Sequence, residues 1–296
     1  MGNQGFEGLE KNGKIIITNY TGTAKKVTIP ESVNGLPVIY IDDKAFYETG
    51  LTSITIPASV RIIANQAFAN NKLTSVIIPG GVETIGLSAF ANNKLTSVTI
   101  PDSVKDIRDS AFANNQLAEI TIGNGVGAIC TSAFANNQLI SVFIPANVEH
   151  IWPSAFANNQ LTDITFAENR AKSFWGGSYI TIGERAFADN QLTSITIPDL
   201  VVKEIGEFAF ANNQITSVTI GEYGGTGGVL IKECAFVSNP LASITIKIAN
   251  FQGNPFGDGF EELYNSYDYK EQSGTYTKIN TKKAVSWVKG KKTISF

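Results

Sequence analysis

The stretch Ala67-Phe-Ala-Asn-Asn-Lys-Leu-Thr-Ser-Val-Ile-Ile-Pro79 decides the fold, because it recurs along the chain with small changes. A leucine or isoleucine follows the phenylalanine after five residues, and two more apolar residues follow three and five residues later. The spacing between successive phenylalanines is 22 residues over the first six copies and looser over the rest. These phenylalanines are Phe46, Phe68, Phe90, Phe112, Phe134, Phe156, Phe187, Phe210 and Phe236.

This period fixes the fold class. A repeat of roughly 20 to 29 residues with L-x-x-L-x-L spacing is the signature of a leucine-rich-repeat solenoid, in which stacked coils bury one continuous core. The sequence therefore predicts a leucine-rich-repeat β-solenoid of about nine coils. Atypical units are expected at both ends, because a regular terminal coil would expose its apolar face.

Within one coil, the alternation of residue types predicts which side chains point inward. In Leu95-Thr-Ser-Val-Thr-Ile100 the apolar Val98 and Ile100 should face the core, and Ser97 and Thr99 should face outward. The proline that follows lacks an N–H donor and should end the strand. The pair Ala111-Phe112 should close the coil through a short helical turn, and we expect the phenylalanine rings of successive coils to stack.

The same alternation predicts a concave sheet covered with small hydroxyl groups. A shift of the register by one residue would bury them instead, so their exposure tests the interpretation. The predicted outward residues are Ser53, Thr55, Ser75, Ser97, Thr99, Thr121, Ser141, Thr165, Ser194, Thr196, Ser217, Thr219, Ser243 and Thr245.

Two polar features have a structural and a functional interpretation. The second asparagine after each phenylalanine, such as Asn71 or Asn93, could form a ligand row, but it more readily satisfies backbone groups at the same bend of every coil. Cys130 and Cys234 are four coils apart, about 20 Å at strand spacing, so they should not form a disulfide.

The domain organisation follows from where the repeat holds. Residues 1–44 form an N-terminal cap, residues 45–247 hold the repeats, and residues 248–296 form a C-terminal cap. The pattern in the last unit predicts a helix over 256–269 followed by a β-hairpin.

The largest irregularity is an aromatic insertion at 167–180, where the distance between phenylalanines grows to 31 residues. Insertions in solenoids map to loops, which often carry the binding function. Phe174, Trp175 and Tyr179 could form an exposed anchor or cover the core, and the sequence leaves both open. We also expect the insertion to interrupt the regular stacking between the sixth and seventh coils.

Composition excludes several function classes. A net charge of −3 with 43% hydrophobic residues does not suit a nucleic-acid binder, and no apolar run is long enough to span a membrane. The single histidine, His150, has no nucleophile or metal-ligand partner in the pattern, so we predict neither an enzyme nor a bound cofactor or metal. The first residues do not match a signal peptide, so we expect either a cytosolic protein or a mature form whose leader has been removed.

The repeat S-A-F-A-N-N-x-L-T-S-V-x-I-P-x-x-V-x-x-I resembles the BspA-type (Bacteroides surface protein A-like) leucine-rich repeats of bacterial surface proteins, over roughly residues 27–247. The closing Gly274-Thr-Tyr-Thr segment is similar to the tails of spirochaete members. The resemblance implies a right-handed solenoid at the cell surface or in the periplasm, with a role in adhesion, host-protein binding or cell–cell contact. It implies no catalytic residues.

The candidate binding site is the outward side of the strands. Ile77 and Phe143 stand where the other coils have threonine, and Glu119 and Asp163 replace serine. An aromatic centre with a polar rim is typical of interaction hot spots. We therefore predict a patch centred on Phe143 that binds a protein, such as a host extracellular-matrix or serum protein. The alternative is a structural spacer of the cell surface.

Overall fold

The computed structural model describes residues 5–167, 179–199, 201–221, 228–247, 249–256, 274–280 and 285–290. Within these ranges it describes the backbone alone for residues 277–280 and 285–288, and the side chains as well for all the others. The chain forms a β-solenoid of about ten turns. Nine coils are numbered 1 to 9 here by the phenylalanine that begins them, from Phe46 to Phe236. Each coil has an Ala-Phe turn and a short return strand, and each coil except coil 2 has an assigned repeat strand between them.

Strands form at each place where the apolar residues alternate. In chain order they are β1 (Phe6–Lys11), β2 (Lys14–Tyr20), β3 (Lys26–Thr28), β4 (Ser32–Val33), β5 (Leu36–Ile41), β6 (Ser53–Thr55), β7 (Ile62–Ile63), β8 (Thr84–Ile85), β9 (Ser97–Ile100), β10 (Asp106–Ile107), β11 (Glu119–Ile122), β12 (Ala128–Ile129), β13 (Ser141–Ile144), β14 (His150–Ile151), β15 (Asp163–Phe166), β16 (Ile180–Ile182), β17 (Ser194–Ile197), β18 (Val202–Ile205), β19 (Ser217–Ile220), β20 (Val229–Ile231), β21 (Ser243–Ile246), β22 (Ala249–Phe251), β23 (Gly274–Asn280) and β24 (Val285–Lys289).

The return strands form one continuous sheet, which we call the return sheet. Its order is β1-β2-β5-β7-β8-β10-β12-β14-β16-β18-β20-β22, with β4 paired to β5. Pairing is parallel from β2 onward, and the register is one repeat, as in Ile107 beside Ile129. The hairpin of β1 and β2 closes its N-terminal end in antiparallel fashion.

The repeat strands do not form the single sheet that the sequence predicts. They pair in separate groups: β3 with β6, β9 with β11, β13 with β15, and β17 with β19 and β21. The last group continues through the antiparallel hairpin of β23 and β24, which lies in the segment where the sequence predicts a hairpin. The coils therefore remain in register throughout, but strand pairing is continuous only on the return side.

The core is built around a column of phenylalanine rings. From Phe46 to Phe256, successive ring centroids lie 5.0–5.5 Å apart with interplanar angles of 4–19°. Tyr20 stacks on Phe46 at the N-terminal end, at 5.4 Å. The predicted stacking is confirmed, and the aromatic residues of both terminal units extend it.

The predicted helical turns are wrong: the described residues contain no helix. The residues two before and two after each phenylalanine have positive φ, as in Ser88 at 52° and Asn92 at 56°. Left-handed residues at both positions prevent the turn from continuing as a helix. They also turn the N–H groups toward the next coil, so that Phe90 N donates to Ala111 O at 2.8 Å.

A ladder of buried asparagines holds the bends together, as the structural interpretation predicts. Asn93 Nδ2 lies 2.9 Å from Phe68 O of the previous coil and 3.1 Å from Phe90 O of its own coil. Its Oδ1 accepts from Leu73 N at 3.1 Å. The arrangement repeats through the coils, so these amides satisfy backbone groups that would otherwise be buried without partners.

The insertion does not disturb the stacking on the return side. Phe187 stacks on Phe156 at 5.2 Å and 4°, and β16 pairs with β14 across the inserted residues. The predicted interruption is therefore wrong for the return sheet and the phenylalanine column. No pairing joins β15 to β17, but the same gap separates β11 from β13, where nothing is inserted. Insertion length alone does not account for such gaps.

The two cysteines are free, as predicted. Cys130 is half-buried beside the return sheet, and burial raises the pKa of its thiol to about 11, with Asp109 and Asp106 adding to the shift. The predicted helix over 256–269 lies outside the described residues except for Phe256, which is buried at the end of the phenylalanine column.

Candidate functional site

The outward side of the repeat strands carries two rows of small hydroxyl side chains, and we call this surface the hydroxyl face. One row runs through Ser97 and Ser141, the other through Thr99 and Thr121. All the predicted hydroxyl residues are exposed or half-buried, while their apolar neighbours in the strands are buried, except Ile120, which is half-buried. The predicted register is therefore confirmed. The half-buried Thr245 contacts Thr275 of the C-terminal hairpin, with 3.0 Å between the two Oγ1 atoms.

Phe143 lies in the threonine row and is 52% exposed. Its neighbour along the same coil, Ile140, is 54% exposed, so coil 5 presents two large apolar side chains to solvent. Sequence reasoning missed Ile140 because it compared only the positions within the strand. The signal was available, since Thr74, Thr96 and Thr162 occupy the same place in other coils.

The acidic residues flank this pair on the neighbouring coils. Asp163 pairs in register with Ser141, and Phe143 pairs with Thr165, so Asp163 lies diagonally beside Phe143 in the sheet. Its Oδ2 accepts a hydrogen bond from Thr165 Oγ1 at 3.1 Å. Glu119, on coil 4, is exposed at the start of β11. The fold thus brings Phe143, Glu119 and Asp163 to one surface, as predicted.

Ile77 lies apart from this patch. It occupies the threonine row of coil 2, three coils before Phe143, and is 84% exposed. Residues 75–78 have the repeat sequence but no assigned strand, so Ile77 sits in one of the gaps between the paired groups. A single interaction centre that includes both Ile77 and Phe143 would need a partner that spans four coils.

The aromatic residues of the insertion contribute little to the described surface. Phe174 and Trp175 lie outside the described residues. Tyr179 is half-buried immediately before β16, on the return side of the solenoid. The structure therefore does not place Tyr179 beside Phe143, and the choice between an anchor and a core cover stays open for the other two.

The return side carries a separate aromatic pair. Trp152 is 47% exposed, and its ring centroid lies 5.7 Å from that of His150. Among the residues that the structure describes, no group of three or more His, Cys, Asp or Glu side chains could hold a metal ion. No helix in the described part of the chain is long and apolar enough to cross a membrane.

These features define the class of protein. Stacked coils with L-x-x-L-x-L strands, a buried asparagine ladder and an extended polar face are those of a leucine-rich-repeat solenoid. The chain belongs to the BspA type leucine rich repeat family: it matches that repeat region in six copies, over residues 39–163 and 163–258. A search of curated protein sequences finds no match.

Solved structures with the same fold come from several bacteria. A leucine-rich repeat protein from Bacteroides ovatus is 18% identical, with a TM-score of 0.57, over 85% of this chain and 77% of that one. The pneumococcal vaccine antigen PcpA is 20% identical, with a TM-score of 0.55, over 85% and 80% of the two chains. At these identities the likeness establishes the fold.

Proposed function

We propose that the chain is a non-catalytic protein-interaction module that binds a partner protein through the hydroxyl face around Phe143. The observation that carries the proposal is the exposure of Phe143 and Ile140 together on one coil of an otherwise hydroxylated surface. Leaving a phenylalanine in water gives up about 2 kcal/mol of possible burial. A partner that covers both side chains recovers that free energy.

The surroundings of Phe143 suit an interaction hot spot. Small hydroxyls of Ser141 and Thr165 lie next to it, and Glu119 and Asp163 form an acidic rim. Binding energy in protein interfaces concentrates on a few central aromatic residues, while the polar rim excludes water and sets specificity. A structural spacer, the alternative function, would have no reason to keep two apolar side chains exposed on one coil.

An extracellular, cell-surface or periplasmic location belongs to the same proposal. The description of the pneumococcal fold neighbour as a vaccine antigen supports it. A host extracellular-matrix or serum protein is the class of partner that such a location would present. The BspA-type repeat family and the exposed apolar pair agree with an adhesive role.

The test is capture of partners from serum or extracellular matrix by the intact chain and by a Phe143→Thr variant, which restores the repeat consensus. We expect the variant to lose the captured partner while it keeps the thermal unfolding midpoint of the parent chain. Trp152→Thr, an equally exposed aromatic on the return side, serves as the matched control and should bind normally. Unchanged binding by Phe143→Thr, with loss on Trp175→Ala, would move the site to the insertion.

A further inference from the structure

Charge is distributed unevenly along the hydroxyl face. Its lysines lie toward the N-terminal end: Lys26 pairs in register with Ser53, and Lys72 and Lys94 lie at the strand entries of coils 2 and 3. Its acids, Glu119 and Asp163, lie on coils 4 and 6. All are exposed, and none of the three lysines has an ion-pair partner among the described residues.

Two exposed apolar residues of the threonine row also lie apart along the hydroxyl face. Ile77 lies on coil 2 and Phe143 on coil 5, both in the threonine row. The midpoint between these two residues falls between coils 3 and 4. The lysines and the acids lie on opposite sides of that same midpoint.

This distribution makes the face complementary to itself. Consider two copies face to face, related by a two-fold axis that runs parallel to the strands between coils 3 and 4. Coil 2 then opposes coil 5, so Ile77 meets Phe143 of the second copy, and the contact occurs twice. Coil 3 opposes coil 4, so Lys94 of one copy and Glu119 of the other lie on facing coils, three positions apart along the strand direction, which is about 10 Å. A closed dimer has such an isologous interface, in which one patch serves both subunits.

The other simple two-fold arrangement is unfavourable. If the axis ran along the solenoid, each coil would oppose its own copy with the strand direction reversed, so the coils that carry Glu119 and Lys94 would each face a coil of the same charge. Like charges opposed across an interface cost several kcal/mol and suppress the wrong arrangement. Charge complementarity therefore selects the arrangement in which the coil order of the two copies is reversed.

We propose that the partner bound by the hydroxyl face is a second copy of this chain, held with reversed coil order by Phe143 against Ile77 and by the charges of Lys94 and Glu119 on facing coils. The proposal rests on the binding role of the Phe143 patch and names its occupant. Six coils spaced 5.0–5.5 Å apart offer a face of limited size. With repeat strands of four residues, about 13 Å long, the area is on the order of 400 Å² per copy, below the standard size of a specific interface. The dimer should therefore be reversible and concentration-dependent.

Sedimentation velocity of the full chain over a wide concentration range tests the proposal. We expect reversible dimers that dissociate more readily as salt increases, because exposed charge pairs are screened. Phe143→Thr and Ile77→Thr should each raise the dimer dissociation constant at least about tenfold. Lys105→Glu, an exposed substitution away from the hydroxyl face, should leave it unchanged.

A charge exchange within one chain gives the sharpest result. Lys94→Glu and Glu119→Lys should each weaken the dimer, whereas the chain carrying both should dimerise like the parent, because residues 94 and 119 lie on coils that face each other in the two copies. A chain that is monomeric at every concentration, or a double variant weaker than both single variants, would overturn the proposal. If such a monomer still captures another protein through Phe143, the proposed function stands without self-association.

Discussion

The side-chain amide of Asn93 donates to the backbone carbonyl of Phe68, one coil earlier, at 2.9 Å. The same amide bonds to Phe90 O at 3.1 Å, and its oxygen accepts from Leu73 N. One buried side chain therefore provides hydrogen-bond partners for backbone groups of two coils at the bend. The repeat needs asparagine at this position because it needs a short donor and acceptor in one group.

Replacement of one amide in this ladder should destabilise the solenoid. Asn115→Ala removes the acceptor of the buried Leu95 N–H and one of the two amide donors to Phe90 O, which keeps its hydrogen bond from Asn93 Nδ2. We expect the free energy of unfolding to fall by about 1–3 kcal/mol, the cost of leaving the Leu95 N–H without a partner. Urea denaturation followed by circular dichroism measures it. Gln116→Ala, exposed on the same coil, is the control, and an equal loss from both would contradict the role of the ladder.

The phenylalanine column should respond to truncation far more than the hydroxyl face. Phe112 is fully buried between the rings of its neighbours, whereas Phe143 is 52% exposed. Phe112→Ala should lower the free energy of unfolding by about 3–5 kcal/mol through the cavity it leaves. The same change at Phe143 should cost less than about 1 kcal/mol. Comparable losses in denaturation would mean that Phe143 has a structural role.

Gly125 and Gly127, two of the three glycines between β11 and β12, should differ in their tolerance of a methyl group. A Cβ at Gly125 would lie 1.7 Å from Asp102 O, while one at Gly127 would have only Lys105 O nearby, at 3.8 Å. Gly125→Ala must move the backbone of one coil, and we expect it to lower the unfolding midpoint clearly. Gly127→Ala should be close to neutral, so equal midpoints for the two variants would show that this turn is not tightly stacked.

The thiol of Cys130 should resist ionisation in the folded protein. Burial, with a smaller contribution from Asp109 and Asp106, raises its pKa from 9.0 to about 11. In a Cys234→Ser chain, the rate of alkylation by iodoacetamide should therefore rise toward pH 11. In denaturant the rise should occur near pH 9. A folded midpoint near 9 would show that the thiol is open to water.

The same shift affects stability above neutral pH. Between pH 9 and about 11 the folded state holds the Cys130 proton that the unfolded state has released, so the free energy of unfolding should fall as pH rises through this window. Below pH 9 both states are protonated and the contribution is constant. A Cys130→Ser variant should lose this part of the pH dependence, and an unchanged profile would argue against it.

Local sequence was sufficient for the features that depend on one coil. The alternation in Ser97-Val-Thr-Ile100 fixed which side chains point outward, because the period of a strand is two. The 22-residue spacing placed the phenylalanines in one column. The left-handed residues were missed, although the asparagine two residues after six of the nine phenylalanines was a usable signal, because asparagine tolerates positive φ.

Other features depend on the whole stack. The repeat strands of coils 4 and 5 have the same pattern as those of coils 5 and 6, yet only the latter pair, and nothing in either sequence marks the difference. The length of the insertion also did not predict that the return strands on either side of it, β14 and β16, would stay paired. The exposure of Ile140 can be predicted from its position in the repeat, where other coils have threonine, but only after the sequences of all the coils are aligned.

The most direct test of the binding surface is site-specific photo-crosslinking. The photoreactive phenylalanine analogue p-benzoylphenylalanine, placed at Phe143, changes a side chain that is already aromatic and exposed. At Trp152 it provides a matched site on the return side. We predict covalent adducts from position 143, with the second copy or another protein, and none above background from position 152. Adducts from position 152 with none from position 143 would contradict the assignment of the hydroxyl face as the interaction surface.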